Sequence, residues 1–354
     1  MSKKILITGG AGFVGGNLAE YFAKKEYEVL CVDNLSRRGS ELNLSRFRRI
    51  KNISFKHCDI RCNEDFVNFD KFNPDIVFEC SAQTTAIDGY KNPAYDFSNN
   101  TVGAYNVLEY CRRKNAGLIF WSSNKAYDGE FCNSIPMIEK ETRLTWDLSK
   151  NFKSRGWSPL GFNEEGDING NSHTVYGVTK NSADLMCQEW SKAFNIPIIV
   201  NRFSCLYGPN QFGKVGQGWV VWFAIAKKLN LPLYFFGNKG KQVRDCLHID
   251  DLCNLIEKQL KNIEKHSGNY YNVGGGINHT TSILELSEKL NKMMKINHKV
   301  VSKKEPRPSD QKIYISDISK VSKDFNWKPE KTIEAGLQDV IDWLDSTELD
   351  WVEN

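Results

Sequence analysis

An apolar run at residues 4–8 leads without a break into Gly9-Gly10-Ala11-Gly12-Phe13-Val14-Gly15 and a helical stretch, and no other feature narrows the fold as far. A strand that turns on glycines straight into a helix is the opening unit of a parallel sheet with helical crossovers. Glycine permits the tight turn and lets the backbone approach a pyrophosphate. The helix N-terminus then offers free N–H groups and a positive dipole end to that anion. The spacing Gly9, Gly12, Gly15 therefore points to a dinucleotide site.

The next two hundred or so residues keep that rhythm. Strands are expected at 28–33, 53–59, 75–82, 117–123 and 197–204, with helices at 95–113 and 175–194 among the crossovers. Continuous apolar strands separated by helices imply a sheet covered on both faces, a Rossmann-type, doubly wound parallel α/β fold. Segment 128–174 breaks the pattern; rich in Gly, Asn and Ser, it reads as loops over a site rather than as core. Beyond Ser204, helices are expected at 219–228, 252–264, 282–294 and 332–344, and a strand at 233–236. The expected division is a dinucleotide-binding domain of residues 1–203 and 242–276, interleaved with a smaller C-terminal α/β substrate domain of 204–241 and 277–346. The acidic tail after Asp345 is expected to fray.

Composition narrows the class further. The 354 residues suffice for a large core, and a net charge of +4, scattered along the chain, does not imply nucleic acid. No signal peptide is expected, and the longest apolar run, at 219–226, is too short to cross a bilayer. The 10 cysteines form no Cys-x-x-Cys pair and read as reduced thiols of a cytoplasmic protein, with no metal site.

Two constellations carry chemistry. Asp33 ends the second strand at the distance of a carboxylate that holds the cofactor ribose, and it favours NAD because it would repel the extra phosphate of NADP. Arg37 and Arg38 follow as candidates for a phosphate or for the adenine face, and Asp59 as an adenine contact or a strand-end cap. Tyr176 and Lys180 form a Tyr-x-x-x-Lys pair; Tyr21/Lys25 and Tyr110/Lys114 match as well, but only Tyr176 opens a helix downstream of a strand ending in Ser122-Ser123. A free tyrosine titrates near about 10 and is a poor base. A lysine one turn away and the positive nicotinamide ring favour the phenolate, which then takes a proton from a hydroxyl as hydride leaves for NAD. Ser123 would hydrogen-bond the same oxygen.

With these residues placed, the chain resembles the extended short-chain dehydrogenases/reductases over nearly its whole length, and among their nucleotide-sugar epimerases most resembles the CDP-paratose (CDP-tyvelose) 2-epimerases. The stretches that carry this are Asp33-Asn34-Leu35-Ser36-Arg37, Ser122-Ser123-Asn124-Lys125-Ala126-Tyr127, His173-Thr174-Val175-Tyr176-Gly177, Gln217-Gly218-Trp219, Gly240-Lys241-Gln242-Val243-Arg244-Asp245 and Ser309-Asp310-Gln311. The resemblance implies a resident NAD, oxidation of a sugar hydroxyl at C2, turning of the keto-sugar, and hydride return to its other face. It extends the cofactor-binding set to Phe13, Val14, Asn34, Ser36, Arg37, Ile60, Ser81, Ala82, Gln83, Asn100 and Ser122. It assigns Arg244 and Arg307 to the substrate pyrophosphate and Asp310 to the nucleotide ribose. Thr85, Asp88, Asn124, Ser204, Gln217, Trp219, Val220 and Lys241 complete the implied substrate set.

The chain departs from the pattern at two places. Ser123 stands where the relatives usually have threonine, which keeps the hydroxyl. The loop Gln83-Thr84-Thr85-Ala86-Ile87-Asp88-Gly89-Tyr90 differs from theirs and should face the hexose, so a 4-epimerase stays open. A sugar 4,6-dehydratase would need an Asp-Glu pair where Asn124-Lys125 stand. A catalytically silent NAD-sensing scaffold is the reading from another class. A homodimer or dimer of dimers, packed through helices 95–113 and 175–194, is implied by the resemblance.

Overall fold

The computed structural model describes residues 3–170, 172–307 and 310–352. Seven parallel strands form the main sheet: β1 (Lys4–Thr8), β2 (Glu28–Asp33), β3 (Ile53–His57), β4 (Ile76–Glu79), β5 (Gly117–Ser123), β6 (Ile198–Phe203) and β7 (Tyr270–Val273). Their order is β7-β6-β5-β4-β1-β2-β3. The chain reverses direction across the sheet between β3 and β4, which opens a crevice at the carboxyl ends of β1 and β4. Every residue of β5 and β6 is buried, as both faces are covered. One face packs against helix α1 (Phe13–Ala23) and helix Ile249–Lys261. The other packs against α2 (Gly103–Lys114) and α3 (Val175–Phe194).

Three expected strands end early, at His57, Glu79 and Phe203, because the chain beyond the last two leaves the ladder to line the crevice. The helix expected at 95–113 is three pieces: Pro93–Phe97, a π-helical turn at Ser98–Val102, and α2. The wide turn inserts an extra residue and rolls the buried Asn99 and Asn100 inward. Asn115 and Asn195 end α2 and α3 in the left-handed region (φ 52° at both), which asparagine tolerates.

A second sheet joins Cys205–Tyr207, Val243–His248, Thr280–Ser282 and Ile313–Tyr314, and carries helices Trp219–Lys228, Ile283–Met294 and Ile333–Asp345 on its own core. Two sequence expectations are corrected here. Segment 128–174 is no set of bare loops: Cys132, Ile135, Trp157 and Phe162 form a hydrophobic cluster with Tyr127 and Tyr314. Its aromatic residues, scattered among Gly and Asn, give no periodicity, so the core was hidden. Nor does the tail fray over its described residues, which run to Val352, because Trp351 packs edge-on against Phe212 with ring centroids 5.0 Å apart. Among the described residues, no helix is long and apolar enough to cross a membrane.

One buried ion pair fixes α3 to the sheet. Asp184 (0% exposed) accepts from Arg202 Nε and Nη2 at 2.8 and 3.1 Å and from the Ser122 hydroxyl at 2.6 Å. Asp184→Ala strands the Arg202 guanidinium away from water. We expect a loss of about 3–5 kcal/mol, measured as a lower urea midpoint at unchanged slope.

Candidate active site

A single cavity runs along the carboxyl edge of the main sheet, from the glycine turn to Arg307 and Asp310. At its cofactor end, Gly9 has φ +62° and a Cβ there would lie 2.7 Å from the Cys80 carbonyl. A Cβ on Gly15 would meet the Gly9 oxygen at 2.3 Å. Helix α1 starts at Gly12 with no side-chain cap and no acid in its first turn, so its N-terminal donors face the cavity uncompensated. Asp33 accepts from Ala11 N–H at 3.1 Å and Leu35 N–H at 2.8 Å, and burial pushes its pKa up. A donor-rich turn that side chains would fill, with a carboxylate behind it, fits the pyrophosphate and adenosine ribose of NAD.

Phe13, Val14, Asn34, Ser36, Arg37, Ile60, Ser81, Ala82 and Ser122 line the cavity as expected. Four expected cofactor contacts do not: Gly15 is buried behind the turn, and Asp59, Gln83 and Asn100 are held elsewhere. The Asp59 carboxylate is held by Arg61 at 2.5 Å and by Asn34 at 3.2 Å, which lowers its pKa to about 2. Gln83 donates to the Thr85 carbonyl and to Asp96, at 2.7 and 3.0 Å. Asn100 bridges the Gln83 backbone, Asp96 and Thr179, bracing the loop from behind. Arg37 points at the segment after Phe212, bound to its carbonyl at 2.6 Å and to Gln217, and Arg38 reaches the Asp350 carbonyl.

At the middle of the cavity lie Ser123, Tyr176 and Lys180. Thr174 caps α3 by accepting from Gly177 N–H at 2.9 Å, which sets Tyr176 in the first turn. The Ser123 hydroxyl faces the Tyr176 phenol across the cavity, donates to Asn124 Oδ1 at 3.3 Å and accepts from Lys125 N–H at 3.2 Å. Lys180 is 2% exposed, its ammonium 4.4 Å from the Phe120 ring centroid. Burial pushes the Tyr176 phenol up to about 12, Ser123 opposes this, and Asp96 and Glu79 add to it. A positive charge beside the phenol, such as that of a bound nicotinamide, would act against burial and favour the phenolate. The two other Tyr-x-x-x-Lys tyrosines are structural: Tyr21 donates to Glu257, and Tyr110 is a core ring at 0% exposure.

The far end of the cavity is cationic. Arg244 pairs with Asp310 at 3.0 Å, and Arg307 lies over Phe236 with a buried Nε that has no hydrogen-bond partner. Lys125 lines the same wall; burial and then Arg244 pull its pKa down to about 8. Asn124, Ser204, Gln217 and Trp219 also line the cavity. Four expected substrate contacts do not. Thr85 accepts from Asp88 N–H as a helix cap, and Asp88 pairs with Lys214 at 3.3 Å. Val220 turns into the second core, and Lys241 binds Glu139 at 2.6 Å. Their neighbours Thr84, Ile87 and Tyr90 line the cavity instead, a shift that the short helix Ala86–Lys91 imposes. Ser309 lies outside the described residues. Sequence reasoning also missed Lys125 and Glu79. The signal for Glu79 was there, an acid inside the apolar run Ile76-Val77-Phe78-Glu79-Cys80.

Fold and cavity define a Rossmann-type dinucleotide enzyme of the short-chain dehydrogenase kind. The family described as NAD dependent epimerase/dehydratase matches residues 5–274, and the chain belongs to it. It is an NAD-dependent enzyme of the epimerase type. The chain is 35% identical to CDP-paratose 2-epimerase of Salmonella typhi, over 97% of this chain and 99% of that one. It is 27% identical to dTDP-glucose 4,6-dehydratase of Salmonella typhimurium, over 99% and 95%. Among solved structures, UDP-glucose 4-epimerase of Thermotoga maritima superposes with a TM-score of 0.77 at 24% identity, over 97% of this chain and 99% of that one, a likeness of fold.

Gly15→Ala forces its Cβ into the Gly9 carbonyl. NAD affinity, followed by quenching of protein fluorescence, should fall at least about tenfold, or about 1.4 kcal/mol.

Proposed function

We propose that the protein epimerises a nucleotide-linked hexose, inverting C2 of a CDP-linked deoxy- or dideoxyhexose. The observation that carries this is the make-up of the cavity. Its only carboxylates among the described residues are Asp33, at the cofactor end, and Asp310, paired with Arg244. Asn124 and Lys125 follow Ser123, so no acid–base pair stands beside Tyr176 to eliminate water. Oxidation and re-reduction remain, and these need one proton carrier. The preference for CDP and for C2 is supported by the 35% identity to the Salmonella typhi enzyme.

Bound NAD supplies the acceptor and later donor of a hydride, so the reaction has no net redox change. Tyr176 takes the hydroxyl proton, keeps it at its phenolic oxygen, and returns it to the alkoxide on the way back. Ser123 holds the reacting oxygen in line. Arg244 and Arg307 clamp the diphosphate as a fixed pivot, since guanidinium forks suit its oxygens. Lys125 adds a third positive group. The sugar itself meets Ile87, Tyr90 and Phe203, apolar walls that let an unanchored ring turn over and suit a carbon that lacks a hydroxyl.

The oligomer proposed is a homodimer, or a dimer of such dimers, through α2 and α3. Tyr105, Leu185 and Phe194 are 44, 45 and 47% exposed there, and a cluster of large exposed apolar groups marks an interface. A monomer by light scattering overturns it. The ten cysteines are all free, in keeping with a reducing cytoplasm.

The protein should be incubated without added cofactor with CDP-linked 6-deoxy- and 3,6-dideoxyhexoses in deuterium oxide and followed by proton NMR. Inversion at C2 without solvent deuterium is expected. Inversion at C4 moves the reacting carbon; turnover of UDP or GDP sugars alone overturns the CDP assignment. Retained NAD with no turnover of any nucleotide sugar leaves an NAD-sensing scaffold. Tyr176→Phe should lower kcat by roughly 10²–10⁴ with NAD binding kept. Arg244→Ala should raise KM more than it lowers kcat.

A further inference from the structure

Glu79 is the last residue of β4, in register with Thr8 of β1 and Phe120 of β5. Register neighbours in a parallel sheet direct their side chains to one face, and this face carries α3. The Lys180 ammonium sits 4.4 Å from the Phe120 ring centroid, so Glu79 lies beside Phe120 beneath the same lysine. The carboxylate is 1% exposed and neither oxygen has a well-formed hydrogen bond, although the Ser81 N–H and the Thr8 hydroxyl approach it. A charge buried without donors is costly, and an apolar side chain would fill this strand position more cheaply. Lys180 has the complementary problem: it is buried, and among the described residues no carboxylate closes a direct ion pair with it, so the one that balances its charge, Glu79, acts through the buried space beside Phe120 rather than by contact.

We propose that Glu79 is a positioning residue, the countercharge that holds the Lys180 ammonium in place and keeps it charged beneath Tyr176. The proposal rests on the assignment of Tyr176 and Lys180 as the reacting pair. The electrostatics agree with the geometry. Burial pushes Glu79 up to about 7, and Lys180 is the first influence opposing this. Burial pulls Lys180 down, and Glu79 is the first influence opposing that. The other titratable groups facing the pair are Asp184 and Cys187 on α3, Cys80 just after β4, Cys111 on α2 and, toward Tyr176, Asp96. Asp184 is engaged by Arg202, and Asp96 accepts from Gln83 and Asn100. Glu79 is left with Lys180.

The test is Glu79→Gln in the NAD-loaded enzyme with CDP-paratose as substrate. At pH 8, where Glu79 is ionised, kcat should fall about tenfold with KM unchanged, a factor equivalent to about 1.4 kcal/mol. The alkaline limb of the pH–rate profile should move at least about one unit lower, because Lys180 loses its proton sooner. Glu79→Asp should restore part of both. A packing role alone would lower activity without moving the limb, and an unmoved limb overturns the proposal. A second readout needs no turnover. Glu79 is raised in the folded state, so the stability it contributes is present below its unfolded value and is lost as pH rises through about 7. Glu79→Gln should therefore raise Tm at pH 8 but not at pH 4. The gain should be larger in a Lys180→Met background, where the carboxylate has lost its partner; equal gains in the two backgrounds overturn the pairing. Lys180→Met also separates the two assignments. Full turnover in it sinks Lys180 as a reacting residue, whereas a dead Lys180→Met beside an unmoved limb sinks Glu79 alone.

Discussion

The pairing of Asp184 with Arg202 is the constraint on which the site hangs. It joins the middle of α3 to β6, and through Ser122 to the end of β5. Those three elements carry Tyr176 and Lys180, Ser123, and Phe203 of the cavity wall. A hydrophobic contact could slide by an ångström at little cost, but a two-pronged buried ion pair cannot, because each displaced hydrogen bond leaves a charge in an apolar medium. The ion pair, together with the packing of Ala183 and Cys187, sets the register of the helix against the sheet, and so where Tyr176 stands relative to Ser123.

The cavity separates two kinds of electrostatics along its length. Near α1, backbone donors and a lone carboxylate suit a dinucleotide, and the site is built from the main chain. Near Arg244 and Arg307, side-chain cations outnumber the one acid they share. Between them lies the stretch in which Tyr176 faces the cavity while Lys180 and Glu79 are buried, where little solvent screens the carboxylate from the ammonium.

Much of this was legible in sequence, and the misses have physical causes. β1, β2 and β5, α3 and helix Trp219–Lys228 fell where periodicity put them, because long apolar runs bounded by glycine, asparagine or serine leave little choice. The glycine turn, Asp33 and the Ser123–Tyr176–Lys180 set were placed by spacing. What spacing does not give is side-chain direction in short irregular segments. Thr85 goes to a buried helix cap and Asp88 to pairing with Lys214, while Thr84 and Ile87 face the cavity, a choice made by the short helix Ala86–Lys91. Asp59 and Lys241 were lost to partners, Arg61 and Glu139, that no motif announces. The tail was misjudged because its acidic composition outweighed one tryptophan.

That tryptophan has a consequence for the cofactor end of the cavity. Trp351 abuts Phe212, whose carbonyl holds Arg37 at the mouth of that end. Phe212 and Arg37 line the cavity and Trp351 does not, so one wall of the dinucleotide site leans on a ring that lies outside the site and far along the chain.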